Sequence, residues 1–368
     1  MWSLVPWSTL IFGLRNWLDS GDRFLAARRN PQSREAWTRL SDDALLKVRL
    51  CDLPLRLEDS WVAGLIEQVK RELLAKGLRV NPHFWLSEEW FSPQGVPGVA
   101  VPFYLAHPRL IRLERHQMLE AEGATRKSCL KLLRHEVGHA VEHAFRFHRR
   151  RSWQKHFGRS SQPYPEFYCP NPSSRRYVLH LDYWYAQAHP DEDFAETFAE
   201  WLTPRSNWKS RYKGWPALKK LVYLDELMSE VADKKPAFRS RARPEHLPRL
   251  RQTLGEYYAH KHERFEGMDS HVYDADLRRL FSASASQASP TAAAFLTRTR
   301  VRIRHQVARC TGRHEYAIDL VLSEMIARCR KLKLRAITPA DELINDLAVL
   351  VSARSVEFVY QRREWHAM

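Results

Sequence analysis

Two histidines four residues apart, with a glutamate beside the first, stand in the run Arg134-His135-Glu136-Val137-Gly138-His139. On a helix, residues four apart share a face, with about 5–6 Å between their Cβ atoms. That separation lets two imidazoles reach one Zn²⁺ at about 2.0–2.1 Å each. Glu136 lies one residue round from the first imidazole, where its carboxylate can reach a water held on the metal. The expected roles are His135 and His139 as zinc ligands and Glu136 as general base. The metal would lower the pKa of its bound water to about 7 and polarise a carbonyl. Two histidines at this spacing can equally be surface residues, so the motif needs a partner elsewhere in the chain.

That partner is the run from His189 to Leu202, which contains Asp191-Glu192-Asp193-Phe194-Ala195-Glu196. Pro190 suits the first turn of a helix, and three acidic residues suit the positive end of its dipole. Phe194, Ala195, Phe198, Trp201 and Leu202 make its apolar stripe. A catalytic zinc takes three protein ligands and keeps one open position. Glu192 is the expected third ligand. Glu196, one turn on, is expected to accept the free ring N–H of a ligating histidine and fix its tautomer. Glu196 and Glu200 repeat the same spacing, so a register one turn later stays open. A metzincin would need Gly three residues and His six residues past the second ligand. The chain has Glu142 and Phe145 there. His143 continues the ligand face one turn on and is expected in an outer or surface position. His180 and His189 remain alternative ligands. A tyrosine phenol beside the zinc, from Tyr183 or Tyr185, could donate to the oxyanion of a tetrahedral intermediate. The plainer alternative makes both tyrosines core aromatics.

The stretches LRHEVGHAVEHAF and YWYAQAHPDEDFAETFAEWL together resemble the bacterial zinc-binding metallopeptidases of zincin-like, gluzincin type. The Glu-Asp-Phe-Ala-Glu piece is also similar to the third-ligand helix of lethal-factor-type metalloproteases. That likeness implies Glu192 on the zinc, Glu196 in the outer shell, and Tyr185, seven residues before the ligand, assisting the reaction. It spans residues 41–282 and takes in HFWLSEEWF, GVAVPFYLAHPRL, PYPEFY and YKGWPALKKLVYLDELM. It implies a peptidase site but names no substrate.

These residues need elements to hold them. Leu130, Leu133, Val137, Val141 and Ala144 recur at helical steps and predict a helix over 127–147. A second helix follows from Pro190. A third covers 60–76, with Ser60 as N-cap and Gly77 as C-cap. Leu53–Leu57 alternates like a strand, 82–90 reads as irregular, and 99–105 and 110–113 read as strands. A strand edge just before the zinc helix could pair with an extended peptide. Residues 149–180 lack periodicity and predict a long loop that walls or covers a cleft. Helices are expected over 209–233, packed behind the zinc helix, and over 254–265. The Ser- and Ala-rich run 282–290 reads as a linker. The implied fold is α+β: an apolar arm (1–40), a zincin-like domain (41–281), a linker (282–296) and a basic helical extension (297–368). In that extension Arg298, Arg300, Arg302 and Arg304 spread positive charge round a helix. Thr338 and Pro339 start the last helix as N-cap and N1, with Leu343, Leu347, Leu350 and Val351 as its buried stripe.

Composition bounds the rest. The chain has 368 residues, 44% of them apolar, enough for a globular fold with a large core. Five scattered cysteines, Cys51, Cys129, Cys169, Cys310 and Cys329, form no C-x-x-C pair. They argue against a disulfide framework and for a reducing, cytoplasmic setting; Cys310 and Cys329 are expected as buried thiols. Residues 1–18 are apolar and Trp-rich but lack a basic start and contain Pro6, unlike a signal peptide. They are too short and interrupted to span a bilayer, and read as an arm docked on the domain or a partner. A net charge of +16 and a pI of about 9.8 allow nucleic acid or another anionic partner. No nucleic-acid motif accompanies that charge, so such a partner is not favoured. The expected activity is zinc-dependent hydrolysis of peptide bonds. The alternatives are a basic DNA-associated protein acting on nucleic-acid-bound proteins, or a zinc-binding scaffold without turnover.

Overall fold

The computed structural model describes residues 36–165, 171, 173–181, 184–263, 270–283 and 288–362. Residues 1–35 of the N-terminal arm, Cys169, Tyr183 and residues 284–287 of the Ser- and Ala-rich run lie outside the described residues. Helices dominate. Among the described residues, the α-helices of seven residues or more are α1 (Trp61–Ala75), α2 (Pro108–Met118), α3 (Arg126–Phe145), α4 (Arg151–Phe157), α5 (Pro190–Leu202), α6 (Ala217–Val231), α7 (Leu254–Glu263), α8 (Asp274–Leu280), α9 (Ala292–Thr311), α10 (Glu315–Lys331) and α11 (Ala340–Arg362). Strands β1 (His83–Ser87) and β2 (Gly98–Pro102) pair in parallel, with Trp85 opposite Ala100.

α3 is the central element. Residues on nearly its whole circumference are buried, which places a helix inside a core rather than on its surface. Thr125 caps its start: the Thr125 side chain accepts from Ser128 N, and Thr125 N donates back to Ser128 Oγ at 3.2 Å. α5, α1 and β2 pack around it. α6 packs on α5 and α4 instead of on α3, so the expected position behind the zinc helix is corrected. Its stripe of Leu221, Leu224 and Leu227 is buried in the same core as α5.

Several expected elements change type. Residues 83–87 form a strand where an irregular segment was expected. Residues 110–113 lie in α2, because His107 caps that helix by accepting from Arg109 N and Pro108 fills its first turn. Leu110 and Leu113 are then buried one turn apart, a helical spacing that a four-residue apolar run hides. β2 ends at Pro102, and Leu53–Leu57 pairs with no strand among the described residues. α4 interrupts the expected loop, burying Trp153 and Phe157 four residues apart. Ser60 precedes α1, but its hydroxyl turns back to Leu57 O at 2.6 Å. Gly77 closes α1 as expected, with φ +75° and Leu78 N bonded to Leu73 O. The β2 edge is not left open. Ala100 N donates to Phe91 O, and Ser92 Oγ donates to Gly98 O, so the chain itself occupies the edge expected to take a peptide. α11 starts at Ala340, one residue later than the sequence suggests.

The chain closes this first unit on itself. Leu50 N bonds Gln252 O, and Leu254 N bonds Val48 O. A second apolar core gathers Ile303, Val321, Met325, Leu347 and Val351 from α9, α10 and α11. Tyr273, Leu277 and Phe281 join it although they precede the Ser- and Ala-rich run. Cys329 is buried there, but Cys310 is exposed, against expectation. No described helix is long and apolar enough to cross a membrane.

Candidate metal centre

α3 and α5 come together at Gly138. A Cβ on that residue would stand 3.0 Å from Ala195 Cα and 3.2 Å from Ala195 O, so any side chain would hold the helices apart. With glycine there, the first turns of α5 reach the histidine face of α3. Behind α3, Arg134 holds both oxygens of Glu72 on α1 at 2.8 Å in a buried pair. That fork fixes the helix against rotation about its axis.

Three atoms then converge. His135 Nε2 lies 3.0 Å from Glu192 Oε2, His139 Nε2 lies 3.1 Å from the same oxygen, and the two nitrogens are 3.2 Å apart. A tetrahedral ion with bonds of about 2.0–2.1 Å needs donor atoms about 3.3 Å apart. The triangle is within a few tenths of an ångström of that figure, so the buried His135, His139, Glu192 group could hold a metal ion. The protons support this. His135 Nδ1 lies 2.9 Å from Glu196 Oε1, and donation there leaves Nε2 of a neutral ring with a bare lone pair. That lone pair faces a carboxylate oxygen and a second imidazole nitrogen. Such a cluster of acceptors calls for a cation.

The electrostatics agree. Burial works against the charged form of His135, yet its hydrogen bonds to Glu192 and Glu196 override burial and push it up to about 10. Burial likewise opposes a charged His139, and the Glu192 charge raises it. Burial alone would raise the Glu192 carboxyl, but His139 and His135 hold it well below the usual carboxylate range. The pocket therefore attracts positive charge as built. The His139 side chain is 12% exposed while that of His135 is 1% exposed, so solvent reaches the centre past His139.

Glu136 points into the same interior. Its Oε2 is buried without a hydrogen-bond partner, and burial pushes its carboxyl up. A buried carboxylate oxygen without a partner is costly and marks a position that something else completes. Tyr185 is buried in a short turn before α5, its ring centre 5.7 Å from that of His135.

The remaining candidates fall elsewhere. Glu196 Oε2 accepts from His180 N and Leu181 N at 3.1 and 2.8 Å, which pins the residues that lead into α5. Glu200 faces away and accepts from Ser206 Oγ and Arg211 Nη1. His143 Nδ1 lies 3.0 Å from Glu142 Oε2, a turn beyond the centre. His180 Nε2 donates to Lys131 O. His189 has both ring nitrogens engaged: Nδ1 accepts from Asp191 N and Nε2 donates to Gln162 O. Neither His180 nor His189 joins the triangle.

Sequence reasoning missed one residue in contact with the centre. Tyr164 OH donates to Glu192 Oε1 at 2.8 Å. Burial and then the charge of Glu192 raise this phenol's pKa, so it stays a donor. Tyr164 sits in a Pro-flanked run with no helical or strand period. Nothing in its local sequence points at α5. No protein family, curated protein or solved structure matches the chain.

Proposed function

We propose that this chain is a zinc-dependent metallopeptidase of the gluzincin type that its two motifs resemble, acting on peptide or protein substrates. One observation carries the reading: two imidazole nitrogens and one carboxylate oxygen meet at 3.0–3.2 Å, and an unpartnered carboxylate oxygen, Glu136 Oε2, is buried one residue along the same helix. Two nitrogens and one oxygen on three side chains form one of the ligand sets of catalytic zinc sites, which keep one position open.

His135, His139 and Glu192 would hold the ion, and Glu196 would keep His135 in the tautomer that presents Nε2. Zinc, when bound, supplies the positive charge that acidifies water and polarises a carbonyl. Glu136 is the base: it takes the proton of the attacking water and delivers it to the leaving amine. Tyr185, packed beside His135, hydrogen-bonds the oxyanion as it forms. The covered β2 edge means that a substrate is not held by strand addition at Ala100, so side-chain contacts must carry more of its binding.

Metal analysis combined with hydrolysis of a mixed peptide pool tests the reading. The parent chain should carry about one zinc, and His135→Ala should lose it. Glu136→Gln should keep the zinc and fold while hydrolysis falls by about 10²–10⁴-fold, the usual contribution of a positioned base. A parent without zinc, or a Glu136→Gln chain that hydrolyses peptides within a few-fold of the parent, overturns it.

A further inference from the structure

Residues 158–164, which follow α4, are fastened to the start of α5 at every second residue. Gly158, at φ +111°, sits so close to Pro190 that a Cβ would meet Pro190 Cγ at 3.1 Å. Ser160 Oγ donates to Asp191 Oδ2 at 3.0 Å. Gln162 O accepts from His189 Nε2 at 2.9 Å. Tyr164 OH donates to Glu192 Oε1 at 2.8 Å, and its ring stacks on His189 with centres 3.8 Å apart and planes 14° apart. His189 is itself fixed, because it caps α5 through Asp191 N. The phenol thus stands on a rigid base although the residue is 40% exposed.

The two oxygens of Glu192 have separate partners. Oε2 faces His135 and His139, and Oε1 faces Tyr164. Without the phenol, Oε1 would be a bare carboxylate oxygen in a buried site, and a cation at the triangle would draw it in as a second contact. Carboxylates bind metals through one oxygen or two, and an outer hydrogen bond to one oxygen selects the single-oxygen mode.

We propose that Tyr164 is a positioning residue for the metal centre: its hydroxyl holds Glu192 Oε1 away, so that Glu192 offers one oxygen and one coordination position stays open. The inference rests on the metal reading above and adds to it a residue from outside both motifs. It also gives the 158–164 segment a role beyond walling the cleft, since this segment delivers the hydroxyl. Neither the resemblance nor any spacing assigns Tyr164 a function.

Tyr164→Phe is the test, because it removes the hydroxyl and keeps the ring that stacks on His189. The full-length chain, its Tyr164→Phe variant and a Tyr223→Phe control are loaded with zinc and titrated with a chelator. Losing an outer hydrogen bond to a ligand typically costs 10–100-fold in metal affinity or activity. Tyr164→Phe should lose zinc in that range, and Tyr223→Phe, whose hydroxyl meets Ser152 rather than the centre, should hold it as the parent does. X-ray absorption of the loaded chains should show one more oxygen neighbour in Tyr164→Phe than in the parent. Metal-free Tyr164→Phe should keep the circular dichroism spectrum of the parent and a cooperative melt, which separates positioning from a fold defect. If Tyr164→Phe holds zinc as the parent does, with the same oxygen count, the role of Tyr164 is overturned and the metal reading stands. If the parent holds no zinc, the metal reading falls and the role of Tyr164 falls with it.

Discussion

Among single residues, the three glutamates of α5 separate by what each carboxylate touches. Glu192 Oε2 touches two imidazole nitrogens, Glu196 touches one ring nitrogen and two backbone N–H groups, and Glu200 touches Arg211 and Ser206. Glu192→Ala should abolish zinc retention. Glu196→Ala should weaken it by about 10–100-fold. Glu196→Ala should also destabilise the fold by about 1–3 kcal/mol, since His180 N and Leu181 N lose their acceptor. Glu200→Ala should leave the metal unchanged. Chelator titration of the three variants gives the order directly. If Glu196→Ala proves worse than Glu192→Ala, Glu196 is the ligand and the register is one turn later.

At the scale of elements, the distance between α3 and α5 decides whether the centre exists. Gly138→Ala would press a Cβ against Ala195 backbone atoms, and backbone yields less readily than a side-chain tip. The variant should lose about 1–3 kcal/mol of stability through overpacking and bind zinc more weakly as the helices part. Gly64 on α1 is the control. It is exposed, and an added Cβ would meet nothing within 4 Å. Gly64→Ala should stabilise the chain by about 0.5–1 kcal/mol, because alanine loses less backbone freedom on folding. Denaturant midpoints measure both, provided the slope is unchanged. A Gly138→Ala chain as stable and as zinc-bound as the parent would show that the close approach is not required.

For the whole molecule, two apolar cores predict two responses. The centre lies among residues of the first core, while α9, α10 and α11 make the second. A ligand that binds only the folded form stabilises it by about 2.7 kcal/mol at a hundred times its dissociation constant. Calorimetry with and without zinc should therefore shift the transition of the first unit and leave that of the second. A uniform shift of one transition would show that the units unfold together; they do touch, as His314 meets Glu120 at 2.8 Å. The pH dependence has its own source. Burial holds His180 down to about 4, below its ordinary value of 6.5. A group depressed in the folded state takes up its proton on unfolding, so its contribution is complete above about pH 6.5 and is lost as pH falls towards 4. The loss is on the order of 3 kcal/mol. His180→Gln should flatten the fall in unfolding free energy across that window, and an unchanged slope would exclude His180 as its cause. The arginines of α9 are less available than their number suggests. Arg300 and Arg304 both bond Asp319, and Arg304 also bonds Glu315.

The sequence by itself determined the two helices that carry the chemistry. Helical periodicity, a proline at N1 and four-residue spacing are local, and local rules place His135, His139, Glu192 and Glu196 on faces that can meet. Those rules also mislead where a run is short. Leu110 and Leu113 fit a strand or a helix equally well, and only the cap at His107 and burial against the core settle it. The strand at 83–87 depends on a partner 15 residues on, which no local pattern announces. Tertiary structure alone decided that Gly138 brings α5 onto α3, that Glu72 locks Arg134, and that Phe91 fills the edge of β2. It alone placed Tyr164 on Glu192. A hydrogen bond between residues 28 apart leaves no period in a chain, because it is set by where two elements lie in space rather than by the steps between neighbours.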